Sequence, residues 1–507
     1  MRSRAGFGLA IAMVLSAVFP ATADHNGDVH SANMSLVTTF DDKGEYQSGS
    51  DIAFWGNRAV FGNLDPGGFR LLDISNPEAP KLLSQFECPG SQSDISIWGD
   101  LVFISVDVAY FDPACTAGEA SIDQFVLGNV WEGIRIVSIA DPAKPKMIAS
   151  VDTECGSHTH TLVPDLERER VLLYIQSYPL TNHAVDCNPI SHQKISVVEV
   201  PVKAPTQAKV ISTPSVAPAI GCHDVTIFPE RKLAAAACLS ESQIWDISDP
   251  ANPVVLSHIR NPLLNIHHSS AFSWDGNTIV LGDELGGAAV SPGCMTGGAL
   301  PLGALWFYDV SDPASPTMQG SFVVPRDRVE LVCTAHNFNV IPLTDGRDVL
   351  VSAWYTGGTT VIDFTDPANP KEIGYYIPEG GDSWSSYFYN GFIYANNLGS
   401  RGVDVFKLDD AILKSRVTLA RMNPQSQERL PATSGATAGG GKGPATGGTK
   451  TPSKVLGTKT GGALPGTGVG GSSLPGLGLV ILAAGIAAAG RRVGRAREVP
   501  APARAQG

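Results

Sequence analysis

Basic charge and helical patterning are what this chain of 507 residues has least of. Lys and Arg number 36 against 49 Asp and Glu, a net charge of −13. A nucleic-acid surface needs a basic stripe or patch, so that class of partner is excluded. Apolar residues at helical spacing are few. The segments between turns are too short and too rich in β-branched residues for repeated helical pairs. There is no glycine-rich phosphate loop, no Ser-His-Asp spacing of a hydrolase and no D-x-D-x-D-G calcium loop. Gly (54) and Pro (36) are plentiful instead, which is the composition of a turn-rich all-β protein.

Long apolar runs are confined to the two ends. Residues 1–23 place Arg2 and Arg4 before an apolar run from Phe7 to Phe19, then the small residues Ala21-Thr22-Ala23. This is the pattern of a secretory signal peptide cleaved before Asp24. Near the other end, 474–490 is close to the minimum for a membrane-spanning helix. Arg491, Arg492, Arg495 and Arg497 follow it and would stay cytoplasmic. Residues 409–463 read as a short tail and a Gly/Thr/Pro-rich stalk, with almost no large apolar residue in 431–463 to bury.

Just before the apolar run, Leu464-Pro465-Gly466-Thr467-Gly468 resembles the LPxTG sorting signal of Gram-positive surface proteins. That resemblance implies a sortase as partner, cleavage between Thr467 and Gly468, and attachment to the cell wall. The tail beyond the arginines is long for such a signal, and a plain C-terminal membrane anchor is the alternative. Either way the protein is expected outside the cell, held by its C-terminus across 464–507.

Between the ends a motif recurs, Asp-apolar-Ser-Asn/Asp-Pro-x-x-Pro. "LLDISNPEAP" begins at Leu71, "IVSIADPAKP" at Ile136, "IWDISDPANP" at Ile244, "FYDVSDPASP" at Phe307 and "VIDFTDPANP" at Val361. Worn copies begin at Val197 and Val405, making seven units 44 to 65 residues apart. Each unit reads as four short strands, as in 93–152: "SDISIW", a Gly99-Asp100 turn, "LVFISV", an insertion, "GIRIVSI", a proline-fixed turn and "KMIASVD". Seven such units predict a seven-bladed β-propeller over 34–408. The seventh unit lacks a fourth strand, and the N-terminal "MSLVTTFDDKG" resembles one. The mature N-terminus is therefore expected to complete the last blade and remove a free edge.

These third-strand motifs, "RLLDISNP", "RIVSIADP" and "TVIDFTDP" above all, resemble those of the bacterial LVIVD-repeat proteins. The resemblance implies the same seven-bladed propeller but no single activity, since the fold hosts many.

Aligned on their downstream turns, the first strands begin with Ser50, Ser93, His158, His223, His267, His336 and Trp384. The next column holds Asp51, Asp94, Thr159, Asp224, His268, Asn337 and Ser385. First strands line a propeller's channel, so His158, His223, His267 and His336 are expected to converge from four adjacent blades. Neutral imidazole is the commonest transition-metal ligand, and an all-imidazole set suits copper, iron or zinc. His160 and His268 fall out of phase with the column and are second choices, as are Asp94 and Asp224. Asp283 and Glu284 are further candidates for acid–base or supporting roles. A ring of structural histidines and a metal-free ligand pocket remain as alternatives.

The eight cysteines, in a chain read as secreted, predict disulfides. Blade geometry pairs Cys88 with Cys115, Cys155 with Cys187, Cys222 with Cys238, and Cys294 with Cys333. All four pairs, and insertions at about 107–130, 178–192 and 285–303, fall on the histidine face. Two functions follow from this: an extracellular metal-dependent enzyme, oxidoreductase- or hydrolase-like, or a non-enzymatic module for adhesion or ligand binding. The chain is expected to be a monomer, with no nucleic-acid partner.

Overall fold

Seven times the chain runs out and back as four antiparallel strands, and each set is a sheet of its own. The computed structural model describes residues 21–23, 27–41, 48–119, 130–179, 187, 190–285, 294, 301–326 and 332–429. The first strands, which line the axis, are Ser48–Trp55, Ile95–Trp98, Thr159–Asp165, Val225–Phe228, His267–Phe272, Phe338–Val340 and Ser383–Tyr389. They touch in cyclic order, the seventh closing on the first. The protein is an all-β, seven-bladed propeller.

The repeated motif has a physical reason. Its Asp ends the third strand and accepts a backbone N–H from two residues on: Asp73 from Ser75 at 2.8 Å, Asp246 from Ser248 at 2.7 Å, Asp309 from Ser311 at 2.8 Å and Asp363 from Thr365 at 2.9 Å. The second Asp or Asn repeats the turn, as Asp249 does for Ala251 N–H, and the proline after it fixes φ. A bulge then sits between the third and fourth strands of every blade, adding the twist that splays the outer edges apart.

Inner strands are packed on both faces by neighbouring blades, so they read as unbroken apolar runs. Every residue of Leu233–Cys238 is buried, while the outer strand Val254–Ile259 alternates between exposed and buried. Trp245, Trp306 and Trp354 fill the wedges between blades, at 2% exposure or less. Burying a large apolar side chain of this kind contributes about 1.5–3 kcal/mol.

Closure follows the sequence expectation. Met34–Phe40 pairs with Val403–Leu408 as the fourth strand of blade seven. Just upstream, Val29–Ser31 covers the outer strand of blade six, and Ala21–Ala23 pairs with it in turn. Processing after Ala23 would remove that last strand and leave the closure intact.

The fold extends past Leu408, where the sequence places only a short tail. Residues 409–429 lie across the end of the channel. Arg421–Met422 adds to the first strand of blade one, and Asn423 holds both the N–H and the carbonyl of Ile97, at 2.6 and 3.0 Å. Ser426 reaches Leu162 O at 2.5 Å, Gln425 and Gln427 bracket Ile227, and the Gln427 amide holds both backbone groups of Phe272. One extended segment thus caps the channel by bonding to five first strands. The reason is chemical: these inner strand ends have backbone groups that no blade satisfies, and the Asn and Gln side chains of the segment supply both donor and acceptor.

The sequence expectations for 1–20, for the stalk from 430 onward, and for Thr467, Gly468 and 474–490 lie outside the described residues. Among the described residues no helix is long and apolar enough to cross a membrane.

Candidate metal centre

The axial histidines owe their aim to a bulge at the start of the first strands of blades three to six. In blade four His223 N–H and the carbonyl of Asp224 both pair with Ala237, at 2.8 Å each. Blade six repeats this with His336, Asn337 and Ala353, and blade three sets His158 and Thr159 opposite Gln176. Two residues opposite one bend the strand and turn the extra side chain toward the axis.

His158, His223, His268 and His336 meet there. Their rings follow one another at centroid separations of 4.7, 3.8 and 4.5 Å. All four are buried, with His268 and His336 fully so. Nδ1 of His158 faces Asp107 Oδ2 at 2.5 Å, Nδ1 of His223 faces Asp224 Oδ1 at 3.2 Å, and Nδ1 of His336 lies 2.5 Å from the carbonyl of Trp384. A carbonyl can only accept, so His336 carries its proton on Nδ1 and presents a lone pair at Nε2. That Nε2 has no hydrogen-bond partner, and neither ring nitrogen of His268 has one.

Nε2 of His158 and Nε2 of His223 are 3.0 Å apart. With both Nδ1 atoms turned to carboxylates, two lone pairs oppose each other, which a shared proton or a metal ion would relieve. Two nitrogens at 2.0–2.1 Å from one ion stand about 3 Å apart, so the spacing fits.

Glu284 completes the group. Its carboxylate is 3.5 Å from His268 Nε2 and 3.6 Å from His336 Nε2, beyond hydrogen bonding, and accepts from Tyr355 OH at 2.6 Å. His268, Glu284 and His336 offer ligand atoms all within 4.8 Å of one another, as do His223, Asp224 and His268. Tyr178 OH stands 3.1 Å from His158 Nε2, and the Trp384 and Tyr355 rings lie 4.4 and 4.7 Å from His336.

Burial sets the protonation states. It holds His223 and His268 well below the usual imidazole range, and neighbouring imidazoles add to this. His336 is down to about 3, again chiefly by burial. Neutral rings are the form that binds metals. Burial also pushes Glu284 up to about 7.

His267 requires a correction: it is not in this group, and His268 takes its place. In blade five His267 pairs with Asp283 and Ser269 with Gly282, so His268 is the extra, bulged residue. His267 instead bonds Ser242 Oγ through Nδ1 at 2.7 Å. The signal was present in the sequence. Ser273 closes a four-residue turn on Thr278 as Phe228 does on Leu233, and five positions back from each stand His268 and His223.

The other candidates have distinct places. His160 is spent between blades, bonding Ser96 and Ser105, with Asp94 on its N–H at 2.8 Å. Asp224 orients His223, whereas Asp283 accepts from the N–H groups of Ile266 and Leu285. Asp107, Tyr178 and Tyr355 carried no motif that would single them out. All four expected disulfides are present, and no cysteine is free among the described residues.

Comparison with known proteins bears on the fold. The family model for the LVIVD repeat matches residues 303–324, the third and fourth strands of blade five. No curated protein matches the chain. Among solved structures, hydrazine synthase of Kuenenia stuttgartiensis is 11% identical, covers 73% of this chain and 97% of its own, and has a TM-score of 0.50. A candidate 6-phosphogluconolactonase from Bacteroides uniformis is 13% identical over 67% of this chain and 88% of its own, at a TM-score of 0.44. A Lactobacillus plantarum protein is 14% identical over 76% and 97%, at 0.47. At these identities the likeness is one of fold alone. The chain is a seven-bladed β-propeller carrying an LVIVD repeat.

Proposed function

We propose that the protein is an extracellular metalloenzyme whose centre is a transition-metal ion bound in the cluster of His158, His223, His268 and His336, where His223, Asp224 and His268, and His268, Glu284 and His336, are sets with ligand atoms within 4.8 Å of one another. The observation that carries this reading is the convergence of four buried imidazoles, with three ring nitrogens of His268 and His336 left unpaired. Unpaired buried polar atoms are costly, about 1–3 kcal/mol each, and a metal ion would satisfy Nε2 of His268 and Nε2 of His336 together.

Four imidazoles fill a tetrahedral zinc shell and leave no place for a substrate. Copper and iron accept larger shells, so the donor set favours one of these and oxidative chemistry. Bound there, such an ion would exchange electrons with a small substrate. Around it, Asp107, Asp224 and the Trp384 carbonyl fix the imidazole tautomers. Glu284 and Tyr355 hold a proton beside the centre, in the range where a carboxyl both takes and gives one near neutral pH. The capping segment closes the opposite end of the channel, so substrate arrives from the disulfide-bearing face.

Eight paired cysteines suit an oxidising compartment. With the N-terminal signal pattern and the LPxTG-like C-terminus, they support a secreted protein attached by sortase to the cell wall or kept in the membrane.

The test is metal analysis of the purified protein and two neighbouring variants. His268→Ala is expected to lose the metal and His267→Ala to keep it. Metal-free protein after reconstitution with copper and with iron, or equal metal content in both variants, would overturn the reading in favour of a ligand-binding module.

A further inference from the structure

One side chain of the capping segment reaches a residue of the histidine centre. Asn423, Pro424, Gln425 and Ser426 form a tight turn, with Ser426 N–H on the carbonyl of Asn423 at 3.3 Å. Proline takes the second place of this turn and Gln425 the third, at φ +55°. A positive φ at the third place ordinarily calls for glycine or asparagine, and a longer L side chain is disfavoured there. The turn is anchored on blade four, where the Gln425 carbonyl accepts Ile227 N–H at 2.8 Å. From that anchor the Gln425 side chain runs back along the first strand, and its Nε2 donates to Asp224 Oδ2 at 3.2 Å.

Little else holds the Asp224 side chain. Among the described residues its carboxylate has two hydrogen bonds, Oδ2 to Gln425 and Oδ1 to His223 Nδ1 at 3.2 Å. A donor on Oδ2 fixes the rotation of the carboxylate. Oδ1 then stays opposite Nδ1, and the ring keeps its Nε2 turned to His158. The amide of Gln425 can serve in one orientation only, because the flipped form would set oxygen against oxygen. Its Oε1 is buried without a donor, so the amide serves Asp224 and not the packing of the cap. Gln427 is the contrast. Its amide holds both backbone groups of Phe272 and bonds none of the histidines or their carboxylates.

We propose that Gln425 is a positioning residue of the metal centre: it holds the Asp224 carboxylate, which in turn sets the tautomer and aim of His223. Asp224 also offers a ligand atom beside His223 and His268, so the same hydrogen bond acts on it in either role. The unfavourable φ at Gln425 is the conformation that aims its side chain from the cap to the axis. The cap thus closes one end of the channel and steadies the chemistry within it. This rests on the reading of the histidine cluster as a metal site, but the link from Gln425 to the His223 ring exists without metal.

Two variants of the full-length protein test it, Gln425→Leu and Gln427→Leu, each removing one amide from the cap at similar bulk. With copper(II) as the probe, Gln425→Leu is expected to bind about tenfold or more weakly and to change the copper EPR spectrum. Gln427→Leu should keep both and lower only the melting temperature. In metal-free protein, NMR of the imidazole nitrogens should find a proton on His223 Nδ1 in the unaltered chain and in Gln427→Leu, and in only part of the molecules of Gln425→Leu. Gln425→Asn, which suits the positive φ but is too short for Asp224, should behave as Gln425→Leu does. Equal effects of the Gln425 and Gln427 variants, or an unchanged His223 ring in both Gln425 variants, would overturn the proposal. An unaltered protein that takes up neither copper nor iron would overturn the metal reading, and the His223 proton would then still decide the link to Gln425.

Discussion

His267 and His268 are adjacent residues with opposite tasks. A single bulge sends one to the axis and the other to Ser242. Burial brings the His267 imidazole down to about 4, so the folded protein resists its protonation while the unfolded chain accepts a proton near the ordinary value of about 6.5. The unfolded state then binds more protons between pH 6.5 and 4, and stability falls as the pH drops through that window. The stabilisation at stake is about 3 kcal/mol. Urea midpoints of wild type and His267→Gln at pH 7.5 and 4.5 should show wild type losing more on acidification. Parallel losses would mean that this ring does not stay neutral.

At the scale of elements, the capping segment is the part that composition hid. Arg421 stacks between Trp98 and Trp55, at 4.2 and 5.0 Å, and pairs through two nitrogens with the mostly buried Glu428. Arg421→Ala removes the stacking and leaves the carboxylate without its partner. A loss of about 1–3 kcal/mol is expected, read from denaturant midpoints, whereas a surface ion pair would cost under about 1 kcal/mol. A cavity of ≈ 40 Å³ between this segment and the strands, lined by Thr226, Ser270 and Met422 among others, has room for about one water. The cap therefore fits closely, and loosening it should also raise hydrogen exchange at Ile97 and Phe272, whose N–H groups it holds.

For the whole molecule, ring closure carries the stability. Each blade leans on two neighbours, and the last is finished by a strand from the other end of the chain. Removing residues 24–41 would bare the edge of Val403–Leu408 and open blade seven to pairing with other chains. A lower melting temperature and oligomers on size-exclusion chromatography are expected. A monomer of unchanged stability would contradict closure by this strand.

The fold was legible because its signals are local. A strand, a two-residue turn and an Asp-x-Ser-Asp-Pro corner declare themselves within ten residues, and the count of seven comes from repetition alone. Disulfide pairing followed from the same regularity. Cys222 and Cys238 stand across one hairpin wherever that hairpin is placed. Three of the four converging histidines could be read in the same way. The fourth could not, because a bulge is a disagreement between two strands and only their pairing shows which residue is extra. Glu284, Asp107 and Tyr355 join the centre across blades, and the capping segment reaches five blades at once. No periodicity in the chain marks such contacts. The sequence alone determined the architecture and the face to which most of the histidines fall. The tertiary structure decided which side chains meet there, because their meeting depends on register and closure around the axis.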